Sequence, residues 1–401
     1  MKNKSDKRFL LVMASISALV MCSFFVNFVL IKFNIKELKT TDNWIYFKYT
    51  KTDFLGKIDD RIEGLKTSIQ NRVTNYFPFY QELTKEYYNV IYNTNKLFYS
   101  DVPLGLNSSK EYVFYNKEKN FYYLINNRSH EDLSNRVSEQ VQFFNNLKDS
   151  NPNVNINIYI VPRYEQTKFL NDNLANFTDN FKNGLNKNIN VAELNISSTD
   201  DYIKKFYKTD HHWNMYGAYQ GYKDILTMLN KEYVTYDIVK VNKKPYYGSL
   251  AKSSLSKLTS DNIYDVNATS NYTVKVNGKE APDKFKPRSI RYNKSNDFFD
   301  YYIHYFDGQY GLVKYTYDND FDDNLLIFSD SYAWQIDYLI AKEYKNTYVV
   351  NLRFDDYKNG TFNYQEFIKK NNIKDVLFLY EGESIIFDQY DYKISKKIVS
   401  D

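Results

Sequence analysis

Four consecutive apolar residues, Leu325 to Phe328 in "NLLIFSDS" (324–331), carry no polar alternation, so a strand formed there needs cover on both faces. Other short apolar runs surround it in the sequence: "VNINIYIVP" (154–162), "NINVAEL" (188–194), the run 347–352 and "DVLFLYE" (375–381). Helical patterns separate them. In "EDLSNRVSEQVQFFNNLKD" (131–149), Leu133, Val137, Val141 and Phe144 fall on one face. Further helices are expected at 215–229, 334–345 and 364–371, and "STDDYIKKFYK" turns helical behind a Ser or Asp cap. Strands alternating with helices predict an α/β fold, a parallel sheet covered on both faces. Two stretches depart from the alternation. "EYVFYNKEKNFYYLI" (111–125) predicts two strands around a polar turn, and about 236–320, rich in Thr, Val, Tyr and Asn, predicts a β-rich insertion.

The N-terminal segment speaks of location. Lys2, Lys4, Lys7 and Arg8 precede "FLLVMASISALVMCSFFVNFVLI" (9–31), which holds no charge. A helix of that length spans about 34 Å, enough for a bilayer core of about 30 Å. The run is too long for a cleaved signal, and "KFNIKELK" rather than a small-x-small site follows it. The expectation is a cytoplasmic tail (1–8), a transmembrane helix (9–31), a helical stalk (32–105) and an extracytoplasmic body (106–401), oriented by the basic tail. Within the stalk, Phe54, Ile58, Ile62, Leu65 and Ile69 keep helical spacing. The one cysteine, Cys22, lies in the apolar run, so an intrachain disulfide and a cysteine metal cluster are both excluded.

A net charge of +4, from 53 basic and 49 acidic residues, gives no reason to expect a nucleic-acid partner. The 41 tyrosines and 29 phenylalanines fit either an AT-rich genome or surfaces that stack on sugar rings. Composition does not decide between these.

Two motifs carry chemistry. Ser331 ends the apolar strand and opens the following turn, a place where a hydroxyl is exposed and helix N-terminal amides lie near. Taken alone, "SDS" reads as a helix cap. The second motif is "FYKTDHHWNMYGAY" (206–219), with Asp210, His211, His212 and Trp213 in a row. It could hold a metal, half of a catalytic triad, or buried structural histidines. Adjacent histidines rarely point at one ion, and His130 and His304 have no ligand-like spacing, so no metal is expected. Asp210 and His212 sit two apart on one loop, which could deliver a base and the group that orients it to a serine.

"YKTDHHWNMYGA" followed by "IFSDSYAW" resembles the DHHW family of bacterial exported proteins, in the SGNH-hydrolase-like superfamily, related to the alginate O-acetylation proteins. "IYIVPRYEQTKF" and "YYGSLAKSS" resemble further family segments, and the likeness runs from about Glu111 to the C-terminus. It implies a three-layer αβα domain in which Ser331 is the nucleophile, His212 the base and Asp210 its orienting partner. His211 would shape the loop or touch substrate, and Trp213 would pack it. Asp330, Tyr332 and Arg353 are candidates for support or for the oxyanion site. Two departures stand out. The family has Gly-Asp before the serine where this chain has Ser329-Asp330. Relatives carry Glu-Arg after the last core strand, where this chain has Glu381-Gly382-Glu383. Arg353 or backbone amides would then face the oxyanion. The resemblance implies, without a cofactor, transfer of an acyl group (an acetyl by analogy) to an envelope or secreted polysaccharide, with a membrane-bound O-acyltransferase as donor partner. A polysaccharide acetyl esterase or a non-catalytic carbohydrate-binding relative are the alternatives.

Overall fold

The computed structural model describes residues 80–107, 111–125, 129–268, 272–281, 297–306, 309–388 and 392–399, with Ser15 and Cys22. Apart from those two, the expected tail, transmembrane run and the stalk through residue 79 lie outside the described residues. Among the described residues no helix is long and apolar enough to cross a membrane.

The chain divides into two compact units. One comprises Met1–Leu97 and Lys252–Ser256. Its described helix, Tyr80–Asn95, leaves Leu83, Tyr87 and Val90 exposed along one stripe. The other comprises Phe98–Ala251 and Lys257–Asp401 and contains every element described below.

It opens with an antiparallel sheet of β1 (Asp101–Leu106), β2 (Tyr112–Asn116) and β3 (Phe121–Ile125), in that order. The expected pair is β2 with β3, Tyr112 opposite Ile125. β1 takes the last residues read as helical stalk. Pro103 and Gly105, the latter at φ 136, are poor helix formers and are accommodated by a register shift on an edge strand.

Among the described residues the main sheet has eight strands. β4 (Asn155–Val161) and β5 (Ile189–Glu193) come first in the chain. β6 (Ile238–Lys240) and β7 (Tyr264–Val266) make a separate antiparallel pair. Then come β8 (Tyr272–Val276), β9 (Lys279–Glu280), β10 (Leu312–Tyr317), β11 (Asn324–Ser329) and β12 (Asn346–Val350). β13 (Phe362–Asn363) pairs with β15 (Ile398–Val399) outside it, and β14 (Ile373–Glu381) lies at its centre. The order is β5-β4-β14-β11-β12-β10-β8-β9, parallel from β5 to β12 and antiparallel beyond. Strands from the segment read as a β-rich insertion thus extend the same sheet. The β8–β9 hairpin turns on Asn277 and Gly278, both at positive φ, the backbone an Asn-Gly pair adopts most readily.

Alternation along each central strand sorts the core into two layers. Leu325, Ile327, Leu377 and Leu379 face one side, with Met215, Ala218, Ile225 and Leu339 against them. Leu326, Phe328, Val376 and Phe378 face the other, against Leu133, Phe144, Phe181 and Ile385. Helices Met215–Met228 and Asp337–Ala341 cover the first face. His130–Ser150, Asp172–Gly184 and Gly382–Phe387 cover the second. Each such side chain buried contributes roughly 1.5–3 kcal/mol, which is why the uninterrupted apolar runs become the central strands. The helix expected over 334–345 is instead a 3-10 turn, Ser331–Gln335, followed by Asp337–Ala341. They meet at Ile336, φ −130, where Gln335 is drawn to the Trp213 carbonyl at 3.3 Å, so tertiary contact overrides helical preference.

Candidate active site

Because β4, β14 and β11 run parallel, their carboxyl ends share one edge of the sheet. Ser331 lies two residues past β11, and Asp330 between them is the cap of the turn. Its Oδ1 accepts from the Tyr332 amide at 2.9 Å and its Oδ2 from the Glu381 amide at 2.8 Å, so one carboxyl ties the ends of β11 and β14. Burial pushes that carboxyl up to about 6 against these two amides.

The Asp-His-His loop reaches the same edge from before helix Met215–Met228, which Asn214 caps through the Tyr216 amide at 2.9 Å. Asp261 holds the loop's base: its carboxyl accepts from the Lys208 amide at 2.9 Å, the Thr209 amide at 2.7 Å and the Thr209 hydroxyl at 2.6 Å. Trp213 is fully buried and donates from Nε1 to the Tyr332 carbonyl at 2.9 Å, joining the loop to the turn that carries Ser331. Its ring lies so close over Gly221 that a Cβ there would sit 2.7 Å from it.

The loop and the turn bring Asp210, His212 and Ser331 into one line. His212 Nδ1 lies 2.6 Å from Asp210 Oδ1, and Nε2 lies 2.7 Å from Ser331 Oγ. Asp210 also accepts from the His212 amide at 3.1 Å, the Tyr246 hydroxyl at 2.6 Å and the Ser249 amide at 2.7 Å. Burial alone would raise this carboxyl. His212, His211 and the Tyr246 hydroxyl outweigh it and hold Asp210 well below the usual carboxylate range. An ionised Asp210 accepts, so Nδ1 carries the ring proton and the Nε2 lone pair faces the serine hydroxyl. Gly248 is required for this approach, since a Cβ would meet the Asp210 carboxylate at 2.4 Å.

The other expected residues divide. His211 is the most open of the group, its side chain 40% exposed, with Nδ1 2.7 Å from Ser249 Oγ. Tyr332 donates its hydroxyl to the His211 carbonyl at 2.5 Å, and its amide is taken by Asp330. With both donors engaged, Tyr332 is framework. Arg353 turns to Tyr392, donating to its hydroxyl at 3.1 Å and lying over its ring. Ligand atoms of Asp210, His211 and His212 lie within 4.8 Å of one another, so the three could reach a common cation. To serve as a ligand, His212 would have to give up its contact with Asp210 at Nδ1 or with Ser331 at Nε2.

Sequence reading missed two groups of residues at this edge. Tyr246 and Ser249, within "YYGSLAKSS", bind Asp210, and the segment is legible only as a family mark. Beside them lies a buried ionic cluster. Arg163, just past β4, meets Glu111 at 2.7 Å, Glu381 at 3.3 Å and Glu165 at 3.7 Å. Glu383 is buried nearby and contributes to the field on Glu381. Burial pushes Glu381 well up, Arg163 opposes this, and Glu383, Asp330 and Glu111 add to it. "VPR" and "EGE" were visible as strand ends, but their meeting is set by strand order.

No family model and no curated protein matches the chain. Solved structures do. A DHHW family protein from Eubacterium siraeum superposes with TM-score 0.52 and 21% identity over 74% of this chain and 98% of its own. Bacillus cereus PatB1, solved with a sulfonyl adduct, gives 0.53 and 18% over 71% and 98%. A second PatB1 structure gives 0.51 and 18% over 69% and 99%. The resemblance to the DHHW family read from the sequence therefore holds at the level of fold.

Proposed function

We propose that the protein is an O-acyltransferase, an acetyltransferase by analogy, that modifies a cell-envelope or secreted polysaccharide through an acyl-serine at Ser331. The observation that carries this reading is the unbroken contact from Asp210 through His212 to Ser331, 2.6 and 2.7 Å long, in the tautomer that leaves Nε2 free to take a proton. Ser331 Oγ attacks the acyl carbonyl carbon while its proton moves to His212 Nε2. The bond from that carbon to the donor oxygen then breaks, and the leaving oxygen takes the proton from His212. In the second half, a sugar hydroxyl gives its proton to His212 and its oxygen bonds the acyl carbon. The Ser331 ester bond breaks and Oγ recovers the proton. Asp210, ionised and with its other oxygen held by Tyr246 and Ser249, favours the imidazolium that forms in each half.

The apolar run behind a basic tail supports a body anchored to the cell membrane and lying outside it, close to where a membrane-bound O-acyltransferase partner would hand over acyl groups. The superposed structures support the fold and leave the substrate open.

Ser331→Ala tests the reading. Turnover of a small acetyl ester should fall by at least about 10³-fold while the thermal transition stays in place. The wild type should also acquire one acetyl group on the peptide carrying Ser331. Added oligosaccharide that becomes acetylated marks transfer, and release of acetate alone marks the esterase alternative. Full activity in Ser331→Ala would overturn the acyl-serine reading, and a wild type without turnover would leave the carbohydrate-binding alternative.

A further inference from the structure

The face of His212 is occupied by a residue that neither motif contains. Tyr302, fully buried on helix Tyr301–Phe306, stacks on the His212 ring with centroids 3.9 Å apart and planes 13° from parallel. Its hydroxyl donates to the Ser331 carbonyl at 2.8 Å. One side chain therefore touches the base through its ring and the nucleophile's backbone through its oxygen. We propose that Tyr302 is a positioning residue that favours the imidazolium form of His212 and thereby tunes the base. The inference rests on His212 acting as the base in the reaction above.

The physical reason is the charge on the ring's partner. An aromatic face is electron-rich and attracts a cation more than a neutral ring, and the attraction grows where water is excluded. His212 is nearly buried, so the contact is desolvated. The other groups facing His212 act differently. On its own loop, Asp210 meets its Nδ1 edge, and the His211 ring lies 3.9 Å away at 36°, where a proton on His211 would oppose one on His212. From the turn after β11, Ser331 meets Nε2, the Tyr332 ring stands 5.0 Å away at 50°, and the Asp330 carboxyl adds its field. Tyr302 alone among these combines a near-parallel face on the base with a hydrogen bond to the nucleophile's own carbonyl. Trp334, 6.0 Å from the Tyr302 ring, and Tyr207, 6.2 Å away, help to fix it.

The test separates the ring from the hydroxyl. In Tyr302→Leu and Tyr302→Met, the second of which better fills the space, the ring face is lost. The acidic limb of the kcat/KM profile for a small acetyl ester should then move down by roughly 0.5–1 pH unit, with a lower plateau. A purely structural role would lower the plateau and leave the limb in place. Tyr302→Phe keeps the face, so the limb should hold while the rate falls a few-fold. NMR titration of the His212 ring, assigned by its loss in His212→Asn, should move by the same amount, and circular dichroism checks each fold. A His212 ring that titrates at the wild-type pH in whichever of the Leu and Met variants folds would overturn the inference. So would a Phe variant that moves it as far. The NMR titration needs no turnover, so failure of the acyl-serine reading in Ser331→Ala remains a separate result.

Discussion

Two buried carboxylate clusters sit at the same edge of the sheet and end in opposite states. Asp210 is ionised and Glu381 is pushed towards its neutral form. Both are buried, so desolvation presses both upward. Donor count alone does not separate them. Asp261 accepts from two amides and a hydroxyl and Asp330 from two amides, yet burial pushes each up to about 6. Asp210 has two imidazoles beside it and few competing acids. Glu381 shares one arginine with Glu111 and Glu165 and feels Glu383 and Asp330 as well. The balance of imidazole or guanidinium partners against neighbouring carboxylates decides which group keeps its charge in a dry site. In the proposed reaction the first cluster works on a proton, and the second pins the ends of β4 and β14 where that work occurs.

The contrast can be broken most directly at Asp210. Asp210→Asn should cut kcat for a small acetyl ester by on the order of 10³–10⁴-fold, because a carboxamide neither fixes the tautomer nor balances the imidazolium. A loss under about tenfold would remove Asp210 from the reaction. Next in size is Arg163→Met, which strands its carboxylate partners in the interior. Urea unfolding should report a loss of about 3–5 kcal/mol, and Glu381→Gln in the same background should recover part of it. If Arg163→Met unfolds at the wild-type urea concentration, the second cluster is not a stabilising pin.

The smallest effect concerns pH. Asp330 and Asp261 titrate near 6 when folded and near 4 when unfolded, so the folded state holds the extra protons between those values. The part of the stability that these two carboxyls supply should therefore fall as pH rises from about 4 to about 6, with Glu381 acting in the same direction and His211, which burial lowers to about 3, acting against it. Asp210 acts oppositely but below the usual carboxylate range, outside this window. Asp330→Asn should flatten the fall by up to roughly 3 kcal/mol across the window, read from urea midpoints at each pH. An unchanged slope in that variant would mean Asp330 keeps an ordinary carboxyl.

Local pattern carried much of this molecule. The apolar runs at 324–329 and 375–381 had to be covered on both faces, and β11 and β14 are the central strands. "TDHHW" placed a base and its partner on one loop because spacing along the chain is itself a geometry. The 3-10 turn after Ser331 was read as a longer helix, because its geometry answers to Trp213 and Gln335 contacts that no local pattern records. Arg163, Glu111 and Glu381 were seen only as strand ends, and Tyr302 was one aromatic among 41 tyrosines.

The sequence by itself determined which segments must be buried and which residue types could move a proton, since hydrophobic periodicity and side-chain chemistry are properties of the chain. Tertiary structure decided which of those residues meet. Ser331 is 119 positions from His212, and they meet because the loop held by Asp261 and Trp213 reaches the edge where β11 ends. It also decided their charge. A carboxylate's ionisation in a dry site depends on neighbours gathered from distant elements, and no local stretch of sequence contains them.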